Sequence, residues 1–404
     1  MARRIYRNAL LLCLACSTVS VQATPPVVVR TEAELTAILA SGAPTPLDAF
    51  TPYGKRSFLR GLRWGTRGLG GFSYRAMLRE LDRAQIEALA AFIDSSAYSP
   101  ARSRDLSSPP LRLPEPSPEV ERRYVQLERF VDEESERRRD AAGASSVVDR
   151  SPVERRYLAL FGEQMSESVL RKLPAADLPV LFDAATLAGE LGSGQAGVAH
   201  QQLVYREMQN RGLDTRRGFD ETMLNALLSV RDFSQAKVFA ANKPHLASWT
   251  IPLVHDRLGP DFVGRSVYRY DAATKTLTRE AFPYPVGLEL VMVVDAGCHF
   301  SAKALAALHE DAELRARLLE ANLALVTPPR AAISYDFVDQ WNKDNPAVPM
   351  RILYNASEWK AIKVTGVPQF YLLKNGKVVA ELRSGWPAEG NKAALMALLD
   401  AARD

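Results

Sequence analysis

The chain reads as an α+β protein of several domains, with helical N-terminal and middle regions followed by an α/β domain built on a mixed sheet. Three observations predict this. Apolar residues recur at helical spacing from residue 31 to about 250. From about residue 262 the period changes to the alternation of strands. There, an apolar run suited to a strand buried on both faces leads directly into a helix, and Asn375-Gly376 joins the last two strands as a tight hairpin.

The first residues do not belong to that plan. Arg3, Arg4 and Arg7 precede a short apolar stretch, Ala9 to Val21, and Val21-Gln22-Ala23 offers small residues for cleavage. This is a secretory signal pattern over residues 1–23, too short to span a bilayer. It implies a periplasmic protein cleaved after Ala23. A lipoprotein anchored at Cys16 is a minor alternative, because Cys13-Leu14-Ala15 fits a lipobox poorly. Of 404 residues, 51 are basic and 47 acidic, giving a net charge of +4, and loss of the three arginines leaves +1. Such a chain has no electrostatic case for nucleic acid. No apolar run reaches the length of a transmembrane helix. Cys13, Cys16 and Cys298 are the three cysteines, so the processed chain keeps one. It is inert, paired with another molecule, or reactive.

Residues 31–98 form a small helical domain. Thr31 with Glu34, and Asp82 with Gln85, make capping boxes at two helix starts. Pro52 and Gly54 interrupt the segment between Leu47 and Leu62, leaving its second half helical. Gly65, Gly68, Gly70 and Gly71 punctuate a loop. Lys55, Arg56, Arg60, Arg63 and Arg67 could cradle an anion, but read more simply as a solvated basic face. Residues 99–118 hold six prolines and form a stiff linker. Residues 119–250 are helical. Val120, Tyr124, Leu127 and Val131 share one helix face, and Val120-Glu121-Arg122-Arg123-Tyr124 returns as Val153-Glu154-Arg155-Arg156-Tyr157. Later short helices run through Leu178–Leu191, Val198–Met208, Phe219–Leu228 and Phe233–Ala241. They are similar to tetratricopeptide hairpins, and a plain helical domain fits as well.

Residues 262–404 carry the α/β pattern. Arg265–Tyr270 and Leu277–Phe282 form a hairpin, Leu288–Val294 a buried strand, Asn322–Thr327 and Met350–Tyr354 further strands. Phe370–Lys374 and Lys377–Leu382 close the sheet, and Ala393–Ala402 is a last helix. Asn355-Ala356-Ser357 is a glycosylation sequon placed at the end of a buried strand.

Cys298 falls where the buried strand ends and a helix begins, in Val293-Val294-Asp295-Ala296-Gly297-Cys298-His299-Phe300-Ser301. Helix N-terminal N–H groups favour thiolate, and a protonated His299 would act the same way. Seventy residues on stands Val364-Thr365-Gly366-Val367-Pro368-Gln369-Phe370 ahead of the Asn-Gly hairpin. These two elements resemble the cysteine motif and the Val-Pro loop of the thioredoxin superfamily. Asp295 and Phe300 make the first similar to exported bacterial disulfide oxidoreductases and isomerases. The resemblance covers residues 262–404. It implies a cis Pro368 beside Cys298, Val367 offering backbone hydrogen bonds to an extended client, and a helix over Asn355–Ile362. A helical insertion at Tyr335–Asn345 accounts for the long Cys298–Pro368 spacing.

The chain departs from that family at one position. Where the family has Cys-x-x-Cys, this sequence has Cys298-His299-Phe300-Ser301. A second thiol normally releases the mixed disulfide. Ser301 cannot, and at most hydrogen-bonds the thiolate. The candidate site is therefore Cys298, His299 and Ser301, with Val367 and Pro368 binding the client. Five histidines show no metal-ligand spacing, and no metal or cofactor is implied. Two functions follow. One is an exported monothiol protein that exchanges disulfides with, or captures, protein clients and needs an external thiol partner. The other is a non-redox scaffold or assembly subunit among the partners of an envelope secretion or conjugation machine.

Overall fold

The computed structural model describes residues 27–65, 68–96, 106–140, 151–191, 195–295, 298–329, 333–362, 364, 367–382 and 390–401. The N-terminal segment expected to be a secretory signal, Arg67, the first part of the proline-rich segment and the break before residue 151 lie outside the described residues.

Both capping boxes form. Thr31 and Glu34 start α1 (Glu32–Ser41). Thr51 then accepts from the Gly54 amide and opens α2 (Pro52–Arg60), so Pro52 begins this helix rather than interrupting it. The glycines after it are not a loop. They pair as a two-stranded ribbon, β1 (Arg63–Gly65) with β2 (Gly68–Gly71). Next come α3 (Arg75–Glu80) and α4 (Arg83–Phe92), the second capped by Asp82 and Gln85. Val29, Leu47, Phe58, Met77 and Ile86 are among the apolar residues enclosed between them.

Helix α5 (Pro118–Asp140) buries Val120, Tyr124, Leu127 and Val131. Its acidic face receives the arginines expected to be solvated. Arg56 and Arg60 reach Glu121 at 2.8 and 2.9 Å, Arg60 reaches Glu128 at 3.3 Å, and Arg63 pairs with Asp132. The described part of the proline-rich segment is tied down rather than free: Leu111 N–H donates to Arg79 O, and Ser117 binds Asp177 through its amide and hydroxyl.

The helical region continues as α6 (Ser151–Phe161), α7 (Glu167–Leu170), α8 (Leu178–Leu191), α9 (Gln195–Asn210), α10 (Phe219–Ser229) and α11 (Phe233–Ala241). Val153 and Tyr157 of the sequence echo are buried in the same cluster as Val120 and Tyr124. Two buried arginines join this region to α3. Arg79 forms a fork with Asp183 at 2.6 and 2.7 Å. Arg217 donates to the carbonyls of Leu78, Ser108 and Leu81, closing the C-terminal end of α3.

The C-terminal region is one mixed sheet with helices. Its strands are β3 (Leu253–Asp256), β4 (Ser266–Asp271), β5 (Thr276–Ala281), β6 (Leu288–Val293), β7 (Ala324–Thr327), β8 (Arg351–Leu353), β9 (Gln369–Lys374) and β10 (Lys377–Leu382). Their order is β10-β9-β6-β7-β8-β4-β5-β3, and β3 is an edge strand that the sequence pattern did not indicate. Strand β6 is central, antiparallel to β9 and parallel to β7. Asn375 and Gly376 have φ of 52° and 77°, as the β9–β10 turn requires. The helices are α12 (His299–Glu310), α13 (Ala312–Glu320), the insertion helix α14 (Tyr335–Asp344) and α15 (Asn391–Ala401).

Asn355–Ile362 is not a helix. Only a single turn forms at Ala356–Glu358. Trp359 is drawn inside, donating to Ser266 O at 3.2 Å, and the Glu358 carboxylate accepts from the Ser266 amide and hydroxyl. The sequon residue Asn355 is exposed, not buried.

Gly54 shows how closely α2 and α3 approach. A Cβ there would stand 2.3 Å from Glu80 Oε1. The Glu80 carboxylate cannot swing away freely, because it is enclosed and its Oε2 accepts from the Thr51 amide at 2.7 Å. Gly54→Ala is therefore expected to destabilise the protein by roughly 1–2 kcal/mol in denaturant unfolding. In a Glu80→Ala background the same change should stabilise, by about 0.5–1 kcal/mol of helix propensity. The same sign in both backgrounds would refute the contact.

Candidate functional site

The site is assembled by strand register. In the centre of the sheet Val293 of β6 lies opposite Gln369 of β9 and Val326 of β7. The chain leaving β6 and the chain entering β9 therefore meet at one end of the sheet. After β6, Val294 still donates to Val326 O, and the Cys298 amide donates to Asp295 O at 3.0 Å. Cys298 is the N-cap of α12, with its carbonyl accepting the first helical bond from Ala302. The thiol is half-buried and is the free cysteine among the described residues.

Val367 and Pro368 face it. The Val367–Pro368 peptide is cis. Cys298 Sγ donates to Val367 O at 3.6 Å, within reach of a sulfur hydrogen bond. The structure thus brings Cys298 against Val367, whose bond to Pro368 is cis. His299 supplies the first residue of α12, and its side chain lies outside the described residues. Phe300, two residues after Cys298, is 52% exposed.

Ser301 does something else than was expected of it. It is fully buried, and its Oγ accepts from the Asp295 amide at 3.1 Å. The hydroxyl fastens the loop between β6 and α12. Sequence reasoning passed over Gln369, the residue after Pro368. Its amide is buried and its Oε1 accepts from the Tyr371 hydroxyl at 2.7 Å. A polar side chain opening the apolar run Phe370–Leu373 was the available signal. Among the described residues no group of three or more His, Cys, Asp or Glu side chains could hold a metal, and no helix is long and apolar enough to cross a membrane.

A central strand leading to a cysteine-capped helix, with a cis X-Pro bond at the start of a β-hairpin strand, defines a thioredoxin-like fold, which the described residues between 253 and 401 have. No protein-family model and no curated protein matches the chain. Among solved structures it is similar to the C-terminal domain of an uncharacterized protein from Bacteroides fragilis (15% identity, 37% of this chain, 98% of that one, TM-score 0.25). It is also similar to an uncharacterized thioredoxin-like protein from Porphyromonas gingivalis (15% identity, 34% of this chain, 88% of that one, TM-score 0.24). A third is a thioredoxin-like protein from Bacteroides caccae (13% identity, 74% of this chain, 98% of that one, TM-score 0.24). The fold is defined by the chain's own strand order and by the Cys298–Val367 contact.

Ser301→Ala should leave the Asp295 amide without its acceptor. The expected loss is about 1–3 kcal/mol in denaturant unfolding, with Cys298 still alkylated by iodoacetamide in the folded protein. Unchanged stability would show that the hydroxyl is not needed there.

Proposed function

We propose that this is an exported bacterial envelope protein that presents Cys298 as a single reactive thiol to protein clients. The carrying observation is the half-buried thiol at the N-terminus of α12, 3.6 Å from Val367 O. In the proposed step the Cys298 thiolate attacks one sulfur of a client disulfide. A new S–S bond joins Cys298 to that sulfur, the client's S–S bond breaks, and the second client sulfur leaves as thiolate and takes up a proton. Once Cys298 is bonded to sulfur it has no S–H to donate. Val367 O is then released to accept an N–H from the client backbone. With serine at position 301 the chain has no internal thiol to attack the mixed disulfide, so Cys298 is restored only by a thiol this chain does not carry: the client's own freed thiolate, by reversal or rearrangement, or an external thiol. The helices of residues 119–250 recruit or position the partner.

The second reading is the scaffold or assembly subunit of an envelope secretion or conjugation machine, in which the thioredoxin-like region is a docking surface only. Intact-mass measurement after reaction with oxidised glutathione separates the two. The monothiol reading expects a single glutathione adduct on the wild type and none on Cys298→Ala. It expects Ser301→Cys to convert the adduct into an internal disulfide, because positions 298 and 301 are neighbours on one helical turn. No adduct on the wild type, with full function retained in Cys298→Ala, would favour the scaffold. Export predicts that protein recovered from the periplasm begins at Thr24; an intact Met1 would overturn it.

A further inference from the structure

Beyond Val367 the main chain offers a client no further donor. Pro368 has no N–H. The Gln369 backbone is committed inside the sheet: Asn375 N–H donates to Gly287 O, antiparallel pairs repeat that exchange every second residue, and in this register Gln369 exchanges its bonds with Val293. An extended segment lying along the loop carries carbonyls as well as N–H groups. Val367 O takes an N–H, but a carbonyl beside Pro368 or Gln369 meets no free main-chain donor.

The Gln369 side chain supplies one. The residue is 9% exposed. Its Oε1 accepts from the Tyr371 hydroxyl at 2.7 Å, and Tyr371 is itself enclosed, so a buried phenol fixes which way the carboxamide is turned. With Oε1 committed, the two N–H groups of Nε2 point away from Tyr371. Nε2 has no hydrogen-bond partner among the described residues, and it is not sealed from solvent as Gln201 Nε2 is. Its neighbours on this face of the sheet are Tyr371, two residues along β9, and Val293, across on β6, both buried. The open side of the carboxamide therefore lies beyond the first residue of β9, at the end of the sheet where Cys298 meets Val367 O. A nine-tenths buried amide that is held in one orientation and left with its donor unpaired calls for a ligand acceptor.

We infer that Gln369 is a client-binding residue, its Nε2 donating to a backbone carbonyl of the segment whose N–H takes Val367 O. This rests on the monothiol reading of Cys298. Tyr371 is a positioning residue that acts through the Gln369 carboxamide. Because the donor addresses a main-chain carbonyl, it favours an extended peptide over a small disulfide and does not read the client's sequence.

Stopped-flow kinetics on the whole chain tests this with two reagents for the same thiol. One is iodoacetamide, too short to lie along the loop. The other is an extended hexapeptide whose single cysteine is activated as a mixed disulfide with thionitrobenzoate. The Cys298 thiolate attacks the peptide sulfur, a new S–S bond joins chain and peptide, and thionitrobenzoate leaves as a coloured thiolate. The quantity read is the peptide rate divided by the alkylation rate of the same protein, which cancels changes in the thiol itself. Gln369→Met, of similar length but without the N–H groups, should lower this ratio roughly three- to tenfold. Tyr371→Phe, which keeps the donor but lets the carboxamide turn, should lower it by a smaller factor. An unchanged ratio in Gln369→Met overturns the assignment, also where both rates fall together, since that marks a structural role only. A wild type that is alkylated yet forms no mixed disulfide with the peptide sinks the monothiol reading, and this inference with it.

Discussion

Burying β6 on both faces of the sheet requires that Glu289, the second residue of the strand, be neutralised in place. Its carboxylate accepts a guanidinium fork from Arg265, with both bonds at 3.0 Å, and both side chains are almost fully enclosed. Burial still pushes the Glu289 carboxyl above its ordinary range. Arg265 is held from its other sides by Tyr284 at 3.5 Å and Trp359 at 4.5 Å. An unmatched charge here would be far more costly than the pair is favourable. The pair therefore acts through specificity: it joins β6 to the segment entering β4. A slip of one residue would point Glu289 at the opposite, apolar face. With β6 fixed, its register with β9 carries Cys298 and Pro368 to the same end of the sheet.

The same device recurs wherever distant parts of the chain meet. Arg79 and Arg217 bind α3 to the helical region. Arg279 joins Asp256 of the edge strand to Glu358 and stacks 3.6 Å over Tyr354. Arg231, in the turn between α10 and α11, lies over Tyr268 and Tyr354 and donates to Leu353 O at 2.8 Å. It thereby connects the helices to the sheet. The planar guanidinium suits this work, because it binds carboxylates or carbonyls in its plane and rings across its face. Arginine content that could suggest a polyanion partner is, at these positions, internal fastening.

How much of this the sequence carried follows from the range of the interactions involved. Local devices were legible: the boxes at Thr31 and Asp82, the 3.6-residue stripes, the Asn375-Gly376 turn, and the placement of Cys298 at a helix start. Features set by distant partners were not. Strand β3 is exposed over most of its length, so it has no alternation to read. The β1–β2 ribbon is made largely of glycine, which has low strand propensity. The helix over Asn355–Ile362 was implied by the family resemblance alone, and here Trp359 and Glu358 are claimed by Ser266, more than ninety residues earlier. The cavity between the N-terminal region and the helices that follow draws its walls from α2 to α10 and has no footprint in any single stretch of sequence.

Ser301 was legible as a departure but not in its role. The loop between β6 and α12 leaves the Asp295 amide inside the protein, where a donor needs an acceptor. A hydroxyl oxygen at 3.1 Å serves. Sulfur is a weak acceptor that needs longer contacts, so a cysteine at this position would hold the same amide less well. The serine is thus a good local solution for the loop, and it is the very residue that denies Cys298 an internal resolving thiol. On the monothiol reading these are one fact. The serine whose hydroxyl steadies the loop would also leave any mixed disulfide without a resolving thiol from this chain. On that reading, release of the client would fall to a thiol outside this chain, either the client's own freed thiolate or that of a further molecule.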